Sequence, residues 1–224
     1  VGSEMCIRDR TCTLPPYQTA SGCTDIIVHT LERYFTKPGV TSLALTDGMA
    51  EALLRNVMRN ARLALQKPAD YDVRAEIMWA GTLSHNAITG DRSQGDWASH
   101  QLEHELGGMF DIAHGAGLAA IWGSWARYVL KQNPCRFAQL AVNVLNVPYS
   151  FGNDEKTALE GIAAMEDFFR SIGMPTSISD MEIELTDTQI KELAHKCSFM
   201  GRRTIGGFVT LNAADMENIY RMAR

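Results

Sequence analysis

Between Gly117 and Val129 the chain reads GLAAIWGSWARYV, apolar on nearly every face of a helix rather than along one stripe. Such a helix has no side to offer water, so it must lie at the centre of a domain with other elements around it. The flanking sequence supplies those elements in the same helical form. From about Gln18 to Phe35, after the stiff Pro15-Pro16 pair of an entry segment, Ile26, Ile27, Leu31 and Tyr34 mark a helix that stops before Pro38 and Gly39. Thr46 to Gln66 opens on a Thr or Asp cap, lines up Met49, Leu53, Leu54, Val57, Ala61 and Leu65 on one face, and closes before Pro68. Asp72 to Asn86 carries Val73, Ile77, Ala80 and Leu83, and the loop TGDRSQGD leads from it to Trp97. Further helices are expected at Arg136–Leu145, Asp154–Ile172 with a Gly173–Pro175 stop, Thr186–Cys197 and Ala213–Ala223, with Asp154 and Thr186 as N-caps. No run alternates apolar and polar residues as a half-buried strand would. The expected fold is therefore all-α, a helical bundle-like domain of about eight helices.

Composition narrows the function classes. A length of 224 residues, 46% of them hydrophobic, suffices for one sizeable core or two modest ones. The net charge of -5, with no dense Lys/Arg run beyond the solvated pair Arg202-Arg203, argues against nucleic-acid and anionic-membrane partners. Five cysteines (Cys6, Cys12, Cys23, Cys135, Cys197) are widely spaced with no CxxC pair, which suits a reducing cytoplasm better than a disulfide framework. No apolar run approaches the roughly 18 residues of a membrane span, and no signal peptide is expected from this sequence. There is no internal repeat, and neither GxGxxG nor GxxxxGK[ST] occurs, so the usual phosphate cradle is missing. The opening VGSEMCIRDR has neither helical nor strand periodicity and matches a string that recurs at the ends of translated metagenomic fragments. Residues 1–10 are accordingly expected to be a non-native leader to a domain spanning 11–224, with the native protein continuing upstream.

Two pairs carry the chemistry. Asp25 and His29, four positions apart, share one helix face, and a carboxylate with an imidazole there is half of a zinc or ferrous-iron site. The same spacing also occurs on solvated faces. Three of the six histidines, His100, His104 and His114, then fall within fifteen residues. His100 and His114 would stand roughly 20 Å apart on a straight helix, so meeting at one ion requires a bend. Gly107-Gly108 is placed to end the first helix, and MFDIA to return His114 to the start of the next. The two pairs are thus candidates for one metal site built from distant segments, and a metal-dependent enzyme is the leading expectation. A competing reading takes HQLEH as H-x-x-E-H, with His100 and His104 as zinc ligands and Glu103 as the general base of a peptidase. It gives Asp25, His29 and His114 no task. A helical interaction domain with a decayed metal site is a third possibility.

The stretch TLPPYQTASGCTDIIVHTLERYF, with Pro15, Gly22, Asp25, His29 and Glu32, and the stretch WASHQLEHELGGMFDIAHGAG, with His100, His104, Gly107, Gly108, His114, Gly115 and Gly117, resemble the C-terminal metal-binding domain of the iron-containing (group III) alcohol dehydrogenases. LSHNAITG and TLNAADMENIYRMA extend the resemblance from about Thr13 to the C-terminus, and the butanol dehydrogenase branch is the most similar. The resemblance implies the C-terminal domain of a dehydroquinate synthase-like fold, with Asp25, His29, His100 and His114 as metal ligands and His104 as the proton-transfer residue. It implies an Fe(2+) or Zn(2+) ion that lowers the pKa of an alcohol or polarises an aldehyde carbonyl, with hydride exchanged with NAD(P)(H). That nicotinamide would be held by an N-terminal nucleotide-binding domain absent from this chain, so the chain alone should bind metal without turning over substrate. The partner would be a short-chain alcohol/aldehyde pair, and the full-length protein a homodimer.

The remaining candidates have structural readings. His85 and His195 sit on predicted helices away from the clusters, as structural or surface residues. Glu32 shares a face with His29 and could accept a hydrogen bond from a ligand, or lie exposed. Trp97, Trp122, Trp125 and the methionines are expected in the core rather than against a cofactor.

Overall fold

A computed structural model of the protein describes residues 9–36, 43–90 and 95–224. Among these, nine α-helices follow one another: α1 (Pro16–Tyr34), α2 (Ala44–Gln66), α3 (Tyr71–His85), α4 (Ala98–Phe110), α5 (His114–Val129), α6 (Pro134–Leu145), α7 (Asp154–Ser171), α8 (Asp187–Cys197) and α9 (Ala213–Ala223). The described residues contain no strand, only an isolated antiparallel bridge between Ile205 and Leu211. None of their helices is long and apolar enough to cross a membrane.

The all-round apolar helix is where its composition demands. Every residue of α5 from Gly115 to Ala126 is buried, enclosed by α1, α4, α7 and α9. Trp122 stacks edge-on with Phe169, and Trp125 meets Phe35 and Phe137, so both indoles belong to the core as expected. The approach of α1 is closest at Gly115, where a Cβ would lie 2.0 Å from the carbonyl oxygen of Ser21. Only glycine lets those two backbones touch.

Helix ends depart from expectation where a side chain is engaged elsewhere. Pro16 is the first helical residue of α1 rather than part of a loop, because its missing N–H would have had no intrahelical partner there. The Pro38-Gly39 stop, residues 91–94 of the loop before Trp97 and residues 1–8 of the expected leader lie outside the described residues. α2 starts at Ala44 with no side-chain cap. Asp47, expected to cap it, instead takes both guanidinium nitrogens of Arg136 from α6, a charge-assisted pair stronger than a cap. At α7 the cap is Asn153, accepting from the Lys156 N–H at 2.9 Å, and Asp154 moves into the first turn beside the positive end of the helix. Thr186 does cap α8, with Gln189 closing a reciprocal capping box. Thr186→Ala should therefore cost about 1 kcal/mol, read as a lower urea midpoint at unchanged slope.

The bend between His100 and His114 is not made by glycine. α4 runs through Gly107 and Gly108 to Phe110, and the chain turns at Asp111, which is left-handed (φ 52, ψ 47) and donates its N–H to the Gly107 carbonyl. Aspartate tolerates that conformation better than most residues. Gly107 serves a different end: a Cβ there would sit 2.9 Å from Oε1 of Glu103, so its bareness leaves room for a buried carboxylate.

Candidate functional site

Helices α1, α4 and α5 pack together so that their histidines face a common point. Asp25 and His29 stand one turn apart on α1, His100 and His104 one turn apart on α4, and His114 is the first residue of α5. Around Asp25 Oδ1 lie His29 Nε2 at 3.6 Å, His100 Nε2 at 3.6 Å and His114 Nε2 at 3.4 Å. These separations are too long for hydrogen bonds, but they suit ligands of one ion: a tetrahedral site with bonds of about 2.1 Å has edges of about 3.4 Å. The hydrogen-bond accounting agrees. Asp25 Oδ1 and His100 Nε2, which face each other, are buried without any hydrogen-bond partner among the described residues, a condition that costs free energy unless something else satisfies those atoms. Three imidazole nitrogens and a carboxylate oxygen form a donor set that fits zinc or ferrous iron.

Two buried glutamates turn the imidazoles inward. Glu32 Oε1 accepts the His100 backbone N–H at 3.1 Å and faces His100 Nδ1 at 3.3 Å. Glu103, 2% exposed, holds His114 Nδ1 through Oε2. Each carboxylate fixes the proton on Nδ1 and so leaves Nε2 to the interior, the usual support for a ligating histidine. Glu32 thereby takes the hydrogen-bonding role offered to it by helical spacing. Glu103 was legible only as the base of a peptidase, and its contact with His114 is incompatible with that. The H-x-x-E-H alternative also needs His100 and His104 to share an ion, whereas no group of candidate ligand atoms among the described residues holds both, and the His104 ring stacks on His114 instead. Glu103→Gln should lower metal affinity about 10–100-fold, measured by chelator competition, while leaving the fold intact.

Two further residues enter the site against expectation. His85, placed away from the clusters by sequence, brings Nε2 to 3.5 Å from Asp25 Oδ2 and its ring to 4.0 Å from His29. The end of α3 is drawn there by Arg33 of α1, whose Nε donates to the Ser84 carbonyl. Sixty residues separate His85 from Asp25, and no spacing rule connects them. Trp97 was expected in the core, yet its ring stands edge-on to His29 and His100, with the Arg33 guanidinium 4.9 Å from its centre. The preceding Asp96 pins this turn by accepting the N–H groups of Ala98 and Phe208. His195 is exposed on α8, as expected. The candidate ligand atoms thus gather in three trios, Asp25 with His100 and His114, Asp25 with His29 and His85, and Glu103 with His104 and His114; within each trio they lie within 4.8 Å of one another.

Electrostatics keep the cluster anionic at its centre. Burial acts to raise the Asp25 pKa, but the facing imidazoles of His100, His114 and His29 outweigh it and hold the carboxyl well below the usual range. Burial, aided by His100, pushes His29 down to about 3, so its ring stays neutral. His114 is raised to about 10 by the Asp25 and Glu103 carboxylates on either side. Burial works against protonation of His100, and Asp25 and Glu32 reverse it to a net rise. His104 is lowered, chiefly by burial and also by its histidine neighbours, so it is neutral near pH 7. With the pKa values of His114 and His100 raised, an ion binding there would compete with protons, and its affinity would rise with pH.

Comparison with known proteins adds an independent line. Residues 19–224 match the model of the Fe-containing alcohol dehydrogenase family, C-terminal. A probable NADH-dependent butanol dehydrogenase of Bacillus subtilis is 36% identical over 211 residues, covering 94% of this chain and 53% of that protein. The substrate- and cofactor-free aldehyde reductase of Escherichia coli superposes with a TM-score of 0.88 at 34% identity, over 97% of this chain and 56% of its own. An NADH-dependent butanol dehydrogenase A from Thermotoga maritima gives a TM-score of 0.88 at 30% identity, over 96% of this chain and 54% of its own. The chain spans about half the length of the curated relatives it matches.

Proposed function

The chain belongs to the Fe-containing alcohol dehydrogenase family and matches its C-terminal part, and from that premise we propose that residues 11–224 are the metal-binding half of an NAD(P)-dependent alcohol dehydrogenase or aldehyde reductase. The observation that carries this is the convergence of three Nε2 atoms at 3.4–3.6 Å on Asp25 Oδ1, with buried polar atoms left unsatisfied. Asp25, His29, His100 and His114 are the proposed ligands. A divalent ion held there supplies positive charge that lowers the pKa of an alcohol and polarises an aldehyde carbonyl.

The chain's own residues prepare that chemistry. Glu32 and Glu103 orient His100 and His114, and Trp97 packs against the inner rings, limiting the access of water to them. His104 is exposed beside His114, with ring centroids 5.5 Å apart, and its lowered pKa leaves an imidazole nitrogen free to take the hydroxyl proton during oxidation and to return it during reduction. A nicotinamide, when bound, would exchange hydride with the substrate carbon. The sequence holds no glycine-rich phosphate loop, and the relatives are about twice as long, so the cofactor is assigned to a nucleotide-binding domain outside residues 11–224, with residues 1–10 as a non-native leader.

Iron and zinc both suit the donor set. The substrate is assigned to short-chain alcohol/aldehyde pairs because the relatives include butanol dehydrogenases. The full-length protein is assigned as a cytoplasmic homodimer. The 224-residue chain, purified free of any longer protein and loaded with zinc or iron, is expected to retain about one metal equivalent and to show no NAD(P)H-dependent butanal reduction. Measurable turnover would place the nicotinamide site within these residues and overturn the division of labour.

A further inference from the structure

His85 has the attributes of a ligand without any assigned task. Its Nδ1 lies 2.8 Å from the Gly81 carbonyl one turn back on α3, a contact that favours a proton on that nitrogen. The Ser84 hydroxyl is also 2.8 Å away and can act as acceptor for the same proton or donate to the Gly81 carbonyl itself. With the proton on Nδ1, the lone pair sits on Nε2, and Nε2 is the atom that faces Asp25 Oδ2 at 3.5 Å. Nε2 can meet that oxygen either as the N–H of an imidazolium or through a cation lying between or beside them. His100 and His114 share this pattern, each with Nδ1 against an acceptor and Nε2 toward Asp25. Asp25, His29 and His85 also place their ligand atoms within 4.8 Å of one another, close to the roughly 4.2 Å maximum span between opposite ligands at bonds of about 2.1 Å.

We propose that His85 is a fourth imidazole ligand of the metal centre, an exchangeable one that closes the ion's open position through Nε2. The proposal rests on the metal-site assignment above. Exchange is built into its placement: His85 is the last residue of α3, its side chain is 45% exposed, and the described residues 86–90 that follow are a turn. With His85 bound, the ion would have five protein ligands, and a substrate oxygen would compete with the ring for the position that Nε2 takes. His29 and His100, 18% and 6% exposed, are enclosed by packed helices and by Trp97, and His114, itself 40% exposed, is held through Nδ1 by Glu103.

The test counts imidazoles in the zinc-loaded chain by X-ray absorption, without substrate or nicotinamide. Four are expected in the parent and three in His85→Phe, which keeps a ring against His29 but lacks the nitrogen. The cobalt-substituted parent should show the weak visible absorption of five-coordination, and His85→Phe a more intense four-coordinate spectrum that 10–100 mM free imidazole returns to the parent form. Chelator competition should show at least a roughly tenfold loss of affinity, the lower end for an outer-shell partner. Three imidazoles in both proteins, with identical cobalt spectra, would overturn the proposal while leaving the four-ligand site standing. Failure of the site assignment itself has a separate signature, since metal would then persist in Asp25→Ala.

Discussion

Asp25→Ala is expected to abolish stoichiometric metal binding, with His114→Ala close behind it and His104→Ala retaining the ion. Asp25 Oδ1 is the shared vertex of the three Nε2 atoms and the one anionic donor among them. Without it the ion would meet only neutral rings, and the rings would lose the charge that holds them in register. The effect should exceed the upper end of the about 10–100-fold expected for an outer carboxylate such as Glu103. Metal content after dialysis against a weak chelator reads it directly. Thermal unfolding gives a second reading: a ligand at about 1,000 times its Kd stabilises the folded state by about 4 kcal/mol, so zinc should raise the midpoint of the parent and of His104→Ala but not of Asp25→Ala. Retention of metal in Asp25→Ala together with its loss in His104→Ala would match the peptidase arrangement and sink the assignment.

The second large effect concerns the frame rather than a ligand. A Cβ on residue 115 would stand 2.0 Å from the Ser21 carbonyl oxygen and 2.7 Å from its carbon, both backbone atoms with no flexible end to swing aside. Gly115→Ala must therefore push α1 and α5 apart by roughly 1 Å or more to restore ordinary contact. Overpacking typically costs about 1–3 kcal/mol, and a clash with fixed backbone belongs at the top of that range. Ser21 lies one turn before Asp25 and Gly115 directly follows His114, so the same displacement separates the two halves of the site. Urea unfolding should lose about 3 kcal/mol, and metal affinity should fall with it. Gly108→Ala is the control: a Cβ there meets nothing within 4 Å, and replacing a helix-interior glycine should gain about 0.5–1 kcal/mol. A Gly115→Ala protein within 0.5 kcal/mol of the parent would show that α5 does not depend on this contact.

The helices were legible because a 3.6-residue period survives in any sequence that buries one face, and α5 was legible as central because it buries all of them. Their ends were less so. Asp47 had the chemistry of a cap, and only the position of Arg136, 89 residues further on, diverts it. Gly107-Gly108 had the chemistry of a break, yet the helix passes through both, and of the two only Gly107 leaves room for Glu103, whose carboxylate holds His114.

The candidate site divides along the same line. Asp25 with His29, and His100 with His104, announce themselves by a spacing that one helix turns into a shared face, and the resemblance of the flanking motifs joined them to His114. The sequence by itself therefore determined the residue types, the helical frame and which faces are chemically active. Only the tertiary structure decided that Glu103 supports His114 rather than activating water, that Trp97 borders the imidazoles, and that His85 reaches Asp25 from the end of another helix. Periodicity encodes what a residue shares with neighbours one turn away. The meeting of α3, α4 and α5 around α1 depends on how close their backbones can pack, and Gly115 and Gly117 set that distance by leaving space for Ser21 and Glu103.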